Sequence, residues 1–434
     1  MGNWFVIRKT TLDRLFLVPR FHGERLFLLH KRTVALWLFY AGILCAFFCT
    51  LCPWFLWPLA GYPAVVASLF LVPSFLLSRT LSNPIYGRPG FLLPTLAILL
   101  LLLVMSVSSG RNVNGIFMAF FSTLVYLSVF YLRVAELQRL GRVLTLAMAL
   151  ILCVSIPAFV LHLAGFPFPH WSVSFQDYQF DNYLFFLVDM RFNFELIPRF
   201  HSVFLEPSHL GMACIALLYS QIGRWNTWPC RVLFLALLMS FSLAAYLCLV
   251  VMLFSAAWMK GKSIIGKIVL LSVLGGAMVV GSIFYNRGDN LVNQLIVQRL
   301  ALNEEGNIEG DNRTTDLFTR EYEKAIDSGD ILLGRGMEEV QKFGFGNAGY
   351  RVYIYTYGLV TLFFLVLFFA VLSRTSPNRR AVLSMLLIEL VTFIPHAQPI
   401  RFYTFIPYYI LMFSTVYPVI RKSQSSVCPA RTHE

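Results

Sequence analysis

The chain carries, between Val232 and Met259, the uncharged run VLFLALLMSFSLAAYLCLVVMLFSAAWM, which is 28 residues long. A helix that crosses a bilayer needs only about 20 apolar residues. Arg224 and Arg231 precede the run, and three lysines follow it within residues 260–267. Basic flanks stay in the cytoplasm, so both ends of the run lie on one side and the run crosses twice. We predict a hairpin of two helices that turns at Ser240–Ser242.

The composition of the rest of the chain agrees with a membrane protein. The 434 residues are 58% hydrophobic and only 13% charged, and the formal net charge is +13. Soluble domains have about 45–50% apolar and about 25% charged residues, so an ordinary soluble enzyme and a disordered chain are both excluded. The basic residues form no dense tracts, which argues against a nucleic-acid partner. The predicted fold class is an all-α polytopic integral membrane protein with about 12 transmembrane helices and two large periplasmic loops.

The apolar runs and the basic residues between them divide the chain into seven segments. We predict a basic cytoplasmic arm over 1–33, transmembrane helices 1–5 over 34–164, a first large periplasmic loop over 165–206, transmembrane helices 6–9 over 207–284, a second large periplasmic loop over 285–350, transmembrane helices 10–12 over 351–420 and a cytoplasmic tail over 421–434. The cytoplasmic segments then hold 23 of the 35 basic residues and four acids, which places both termini in the cytoplasm. The arm either lies on the bilayer surface or is disordered.

The first large loop is rich in aromatic residues. Thirteen of its 42 residues are aromatic, against 16% in the whole chain. Aromatic rings beside Asp and Asn side chains suit a sugar, whose CH faces pack on the rings while its hydroxyl groups need polar partners. Trp and Tyr also gather at membrane surfaces, so an interfacial segment remains the alternative. A lipid-linked glycan at the interface satisfies both interpretations.

The loop ends in the stretch Arg199–Gly211, RFHSVFLEPSHLG, which holds the main candidates for chemistry. Pro207 suits the first turn of a helix, which places Glu206 at its cap. The positive end of that helix, together with Arg199 and neighbouring histidines, suits a pyrophosphate. Glu206 is the candidate catalytic base, and His201 and His209 are the next candidates. The alternative is an acid that only favours a helix N-terminus, beside interfacial histidines.

The second large loop is acidic, with 12 Asp/Glu and 7 Lys/Arg. A helix is predicted over Asp311–Asp327, with Phe318, Tyr322 and Ile326 on one face. The stretch Gly334-Arg335-Gly336 follows, where glycines permit close backbone approach to a ligand and the arginine can bind phosphate oxygens.

Beyond the loops, Glu389 lies inside an apolar span and is a functional candidate on that ground. Arg401 and Arg351, which lie at the outer ends of spans, join it in a second tier of candidates. Cys45, Cys49 and Cys52 share a helix face without His or acid partners, which favours apolar packing over a metal site. We therefore expect neither a metal nor another cofactor.

Arg199–Gly211 resembles the pattern of the Wzy-type O-antigen and capsular polysaccharide polymerases of bacterial inner membranes, which are related to O-antigen ligases. The matching residues of the first loop are Arg199, Ser202, Phe204, Glu206, Pro207 and Ser208. The second loop and the span after it are similar through Arg313, Gly334-Arg335-Gly336, Asn347, Tyr350 and Gly358.

The resemblance implies a metal-independent glycosyltransferase of the inner membrane. It would transfer a glycan from undecaprenyl diphosphate onto an incoming undecaprenyl-diphosphate-linked repeat unit at the periplasmic face. The bilayer, a chain-length regulator and a flippase are the other partners that this reaction class implies. The alternatives are an O-antigen ligase, which acts on lipid A-core, and a flippase for lipid-linked oligosaccharide. The candidate ligands of the diphosphate are Arg199, Arg313, Arg335, Arg320 and Arg191.

Overall fold

The computed structural model describes residues 24–87, 91–110, 112–175, 178–190, 198–259, 266, 285, 314–343, 349–393 and 400–413. Within them the protein is mostly helical. The first half of the chain has helices α1 (Glu24–Leu51), α2 (Pro63–Arg79), α3 (Leu92–Ser108), α4 (Asn112–Phe130) and α5 (Val134–Leu163), with a 3₁₀ turn at Trp54–Leu59. The second half has α6 (Pro207–Ser220), α7 (Trp228–Met239), α8 (Leu243–Met259), α9 (Asp316–Asp327), α10 (Met337–Gln341), α11 (Tyr350–Thr375), α12 (Arg379–Phe393) and α13 (Phe402–Phe413).

Four stretches of the described helices are long and apolar enough to cross a membrane, which makes this an integral membrane protein in outline. They are Lys31–Leu51, Val113–Phe130, Val134–Leu163 and Tyr350–Thr375. The described residues also form shorter apolar helices, namely α2, α3, α7, α8 and α13. The last part of the segment predicted to hold transmembrane helices 6–9, residues 260–284, lies outside the described residues apart from Gly266, and so does the predicted tail over 421–434.

Two helices carry charged residues in extensions that precede their apolar stretches. Helix α1 begins at Glu24, before the segment predicted to enter the membrane at residue 34, and α5 begins at Val134, before the charged residues Glu136 and Arg139. An ion pair holds these extensions together, since Arg32 Nη2 lies 2.8 Å from Oε1 of the buried Glu136. Pairing inside the bundle allows charged residues to remain helical where hydropathy alone ends the span.

The predicted break in the uncharged run is present. Helix α7 ends at Met239 and α8 begins at Leu243, with Phe241 at a φ of +45° between them. The turn adjoins the first loop, because Phe200 N donates to Met239 O at 3.3 Å. At the far end of α8, Arg380 Nη1 donates to Trp258 O at 3.4 Å. The turn therefore lies at the end of the bundle that carries the aromatic loop, as the charge argument requires.

The first loop contains a small antiparallel sheet, which corrects the prediction of an all-α fold. Strands β1 (Trp171–Phe175), β2 (Tyr178–Asn182) and β3 (Leu187–Asp189) pair in the order β1-β2-β3. Phe180 is fully buried beneath the sheet, and Trp57 packs against both Phe175 and Phe180. The dense aromatic residues of the loop thus supply a core of its own, which a purely interfacial segment does not need.

In the second loop, Thr315 caps α9 by accepting a hydrogen bond from Phe318 N at 3.3 Å. Phe318 and Ala325 are buried against Tyr355 of α11, whereas Ile326 is 49% exposed. The buried face of α9 therefore runs through Phe318 and Ala325, and the exposed Ile326 lies at its edge.

Helix α11 is broken at Gly358, which has a φ of +80°. The break leaves two backbone carbonyl groups of α11 without helical partners. Backbone N–H groups of the glycine-rich stretch in the second loop donate hydrogen bonds to them. Arg335 N donates to Tyr355 O at 2.7 Å and Gly336 N donates to Thr356 O at 3.2 Å. A Cβ on Gly334 would lie 2.6 Å from Thr356 O. These glycines therefore permit contact between two backbones.

Candidate functional site

Glu206 lies immediately before α6, as its place ahead of Pro207 predicts. Its backbone is extended, and its side chain does not cap the helix. The carboxylate instead accepts two side-chain hydrogen bonds, one from the Tyr178 hydroxyl at Oε1 and one from the Ser208 hydroxyl at Oε2, the latter at 2.7 Å. Two hydroxyl groups therefore orient the carboxylate, and the residue as a whole is half-buried.

The sheet of the first loop places Tyr178 beside Glu206. Tyr178 begins β2, and its ring stacks on that of Phe180 with the centroids 5.8 Å apart and the planes 4° from parallel. Phe180 is fully buried, so the tyrosine ring rests on an immobile support. Sequence analysis missed this residue: 28 positions separate it from Glu206, and the only signal was the aromatic excess of the loop.

His209, in the first turn of α6, forms a second polar pair with Arg401, which lies just before Phe402. Arg401 Nη1 lies 3.1 Å from His209 Nε2. A guanidinium only donates, so His209 Nε2 accepts and the imidazole is neutral in this arrangement. Arg401 also donates to the Tyr403 hydroxyl at 3.3 Å, with its guanidinium 5.8 Å from the centre of that ring. A residue of the second tier thus contacts one of the three candidate bases.

Two helix N-termini meet at this place. Helix α6 begins at Pro207 and is buried from Leu210 onward, and it packs along α13, which begins at Phe402. The contact between His209 and Arg401 shows that the two helices start at the same end of the bundle. The positive ends of both helix dipoles therefore point towards one region, where the charge of Arg401 adds to them. An anion of high charge density is favoured there.

The second large loop starts its return helix at the same end. Tyr353, in the first turn of α11, packs edge-to-face on Phe393 at the end of α12, with ring centroids 5.2 Å apart. Helix α12 packs against α13, which begins immediately after Arg401. The start of α11 and the aromatic loop therefore lie on one side of the bundle, which a site shared by the two loops requires.

His201 is buried, with 1% of its surface exposed. Its Nδ1 lies 2.6 Å from Phe204 O, and since a carbonyl oxygen only accepts, Nδ1 carries the proton. Nε2 has no hydrogen-bond partner among the residues that the structure describes. Burial lowers the pKa of this imidazole. A neutral ring enclosed in this way supports the turn before Glu206, and it does not reach a substrate in this conformation.

The predicted arginines differ in their surroundings. Arg199 is half-buried and lies within electrostatic range of His201. Arg335 is occupied by acids: its Nη2 lies 2.9 Å from Asp330 Oδ2 and its Nη1 lies 3.7 Å from Glu321 Oε2. Hydrogen bonds from Ser328 and Arg335 lower the pKa of the Asp330 carboxyl. Binding of phosphate by Arg335 would therefore displace carboxylates.

The remaining candidates are more distant or undescribed. Arg320 is exposed on α9, and Arg351 is half-buried with its Nε 3.3 Å from the Tyr350 hydroxyl. Glu389 is 6% exposed inside α12. Arg191 and Arg313 lie outside the described residues. Within the described residues, no group of three or more His, Cys, Asp or Glu side chains is arranged to hold a metal ion. No family model, curated protein or solved structure matches this chain.

Proposed function

We propose that this protein is a polysaccharide polymerase of the Wzy type. It moves a glycan from undecaprenyl diphosphate onto an incoming undecaprenyl-diphosphate-linked repeat unit at the outer face of the bacterial inner membrane. The observation that carries the proposal is the pair of oriented groups at the start of α6. One is the Glu206 carboxylate held by Tyr178 and Ser208, and the other is the cationic His209–Arg401 pair.

Glu206 is the proposed base. The acceptor hydroxyl attacks the anomeric carbon of the donor glycan while its proton passes to the Glu206 carboxylate. The bond between that carbon and the diphosphate oxygen breaks, and undecaprenyl diphosphate leaves with the electron pair. A general base of this kind contributes about 10²–10⁴-fold to a rate. The hydroxyl groups of Tyr178 and Ser208 hold the carboxylate in one orientation, which positions it for the transfer.

The leaving diphosphate needs positive charge around it. Arg401, Arg199 and the positive ends of α6 and α13 supply that charge in our proposal. Diphosphate is a good leaving group once its charge is balanced, so fixed cations suffice for the departure. Arg335 has a structural role in this scheme, because its side chain pairs with acids and its backbone N–H donates to Tyr355 O near the break in α11.

Exposed aromatic rings near the site suit the glycan. Trp171 of β1 is 46% exposed and packs edge-to-face on Trp54, with ring centroids 6.0 Å apart. Trp54 is held by a backbone hydrogen bond to Val203 O at 3.0 Å, three residues before Glu206. The exposed ring of Trp171 thus provides a flat apolar face in the same loop as the proposed base, on which the CH face of a sugar can pack.

The surface glycan of a deletion strain tests the proposal. Loss of a polymerase leaves single exported repeat units, and we expect the wild-type gene to restore long chains while Arg199→Ala at equal protein level does not. Loss of a flippase would leave no exported glycan, and loss of a ligase would leave long chains on the carrier lipid. Either of those profiles would overturn the proposal.

A further inference from the structure

A recess of about 440 Å³ opens at the end of α2. Phe75, Tyr86 and Tyr131 supply its aromatic walls, and the rest of its lining is Ser78, Arg79, Pro84 and Gly87. The walls are held in place from behind, because the Tyr86 hydroxyl lies 3.2 Å from Ser74 Oγ. The recess therefore combines a fixed aromatic surface with a cationic group.

Two arginines at this recess, Arg79 and Arg133, have no acid partner in the part of the chain that the structure describes. Within the described residues, neither Arg79 nor Arg133 forms a salt bridge, whereas the neighbouring Arg32 pairs with Glu136 at 2.8 Å. Among the described residues, the Arg133 guanidinium donates only to the neutral amide oxygen of Asn83. Its Nε lies 2.9 Å from the position that a Cβ on Gly87 would occupy, so its guanidinium adjoins the lining of the recess. The two positive charges remain available to an anion.

The exposed face of α2 is apolar along its length and ends beside the recess. Leu69, Val72 and Leu76 are 70%, 43% and 58% exposed, and Phe75 beside them is 36% exposed. Spacings of three and four residues place Leu69, Val72, Leu76 and Arg79 on one helix face. An apolar stripe of this kind, ending at a cation, matches a phospholipid with its acyl chain along the stripe and its phosphate at the arginine.

The recess lies far from the candidate site. Helix α2 begins at Pro63, close to the segment in which Trp54 N bonds to Val203 O, and its 17 residues end at Arg79. At about 1.5 Å per residue the helix spans about 25 Å, nearly the hydrocarbon thickness of a bilayer. The basic residues at this end predict the cytoplasmic leaflet, which is the leaflet that carries negative surface potential.

We propose that this recess binds an anionic phospholipid of the inner leaflet. Arg79 and Arg133 hold the headgroup phosphate, Phe75 and the tyrosines flank the glycerol region, and one acyl chain lies along Leu76, Val72 and Leu69. The proposal does not depend on Glu206 or on glycosyl transfer. Its ligand is distinct from the diphosphate carrier, which binds at the other end of the bundle.

Native mass spectrometry of the purified full chain tests this proposal by titration with phosphatidylglycerol and with phosphatidylcholine. We expect wild type to retain phosphatidylglycerol in preference to phosphatidylcholine. The double variant Arg79→Gln/Arg133→Gln should bind phosphatidylglycerol about tenfold more weakly. The matched control is Arg231→Gln/Arg374→Gln, which removes two exposed arginines away from the recess and should bind like wild type.

Equal retention of phosphatidylglycerol by the two double variants would overturn the proposal, as would equal retention of both lipids by wild type. Phe75→Ala keeps both charges and removes one apolar wall, so it should also weaken lipid binding. Displacement of the lipid by millimolar inorganic phosphate would show a simple anion site and contradict the lipid assignment. Unchanged elution and thermal unfolding in lipid-free detergent establish that each variant is folded.

Discussion

Arg401 Nη1 lies 3.1 Å from Nε2 of His209, although 192 positions separate the two residues in the chain. The contact joins the residue just before α13, the last described helix, to the first turn of α6, which Glu206 immediately precedes. It gives the candidate site a cation that local sequence reasoning placed only in a second tier.

This contact predicts a role for Arg401 in holding the leaving group. Arg401→Gln should lower turnover at least about tenfold, because hydrogen bonds to charged groups are worth about 1.5–3 kcal/mol. Arg401→Lys should retain part of the activity, since it keeps the positive charge but loses the paired donors of the guanidinium. The rate of glycan extension by purified protein measures both. The control is Arg374→Gln, which changes an exposed arginine in the last turn of α11. An Arg401→Gln rate equal to the rate of this control would remove Arg401 from the site.

Tyr178→Phe should lower kcat about tenfold or more with little change in KM. The variant loses one hydrogen bond that orients the Glu206 carboxylate and keeps the ring that stacks on Phe180. Tyr183→Phe, in the same loop but stacked on Phe186, is the matched control. A kcat for Tyr178→Phe that equals the control value would show that the hydroxyl does not position the base.

The break in α11 predicts a stability effect. Gly358→Ala should lower the midpoint of thermal unfolding in detergent, because a Cβ there would lie 2.4 Å from Leu333 C and the residue has a φ of +80°. Strain of this kind costs about 1–3 kcal/mol, before the steric clash is added. Gly61→Ala, whose Cβ would meet no atom within 4 Å, is the control. Equal midpoints for the two variants would contradict the packing of Gly334 against Gly358.

The buried His201 predicts a pH dependence of stability. Burial lowers its pKa in the folded state, so the unfolded chain binds the proton more readily and stability falls as the pH drops below the ordinary histidine value of about 6.5. Burial is the largest effect and the positive charge of Arg199 adds to it, whereas the hydrogen bond to Phe204 O and the charges of Asp189 and Glu206 oppose it. Unfolding midpoints between pH 5 and pH 8 should fall less on acidification in His201→Gln than in wild type. The exposed His170 provides the control substitution, and a slope for His201→Gln as steep as that of His170→Gln would contradict the assignment.

Charge and proline signals in the sequence predicted several features of the fold correctly. Basic flanks around Val232–Met259 required a turn, and α7 and α8 break at Ser240–Ser242. Pro207 predicted the start of α6. Both predictions depend on signals that act within a few residues, namely the cost of moving charge across a bilayer and the fixed φ of proline.

Long-range contacts explain what the sequence did not predict. Tyr178 reaches Glu206 only because an antiparallel sheet folds the aromatic loop back, and no local pattern announces that pairing. The glycine-rich stretch indicated close backbone approach to a ligand, and in the structure its backbone approaches that of α11 near Gly358. A glycine in the sequence indicates close approach of the backbone to another group but does not identify that group. The Arg335 side chain pairs with Asp330 of the same loop.

Turnover by Glu206→Gln tests the central claim most directly. The assay follows extension of an undecaprenyl-diphosphate-linked repeat unit by purified protein under single-turnover conditions, with substrate binding measured separately. We predict a rate about a hundredfold or more below wild type at unchanged substrate affinity. Asp181→Asn, which alters a carboxylate of the same sheet that bonds to Ser172, should extend chains normally. A Glu206→Gln protein that extends chains at the wild-type rate would contradict the account.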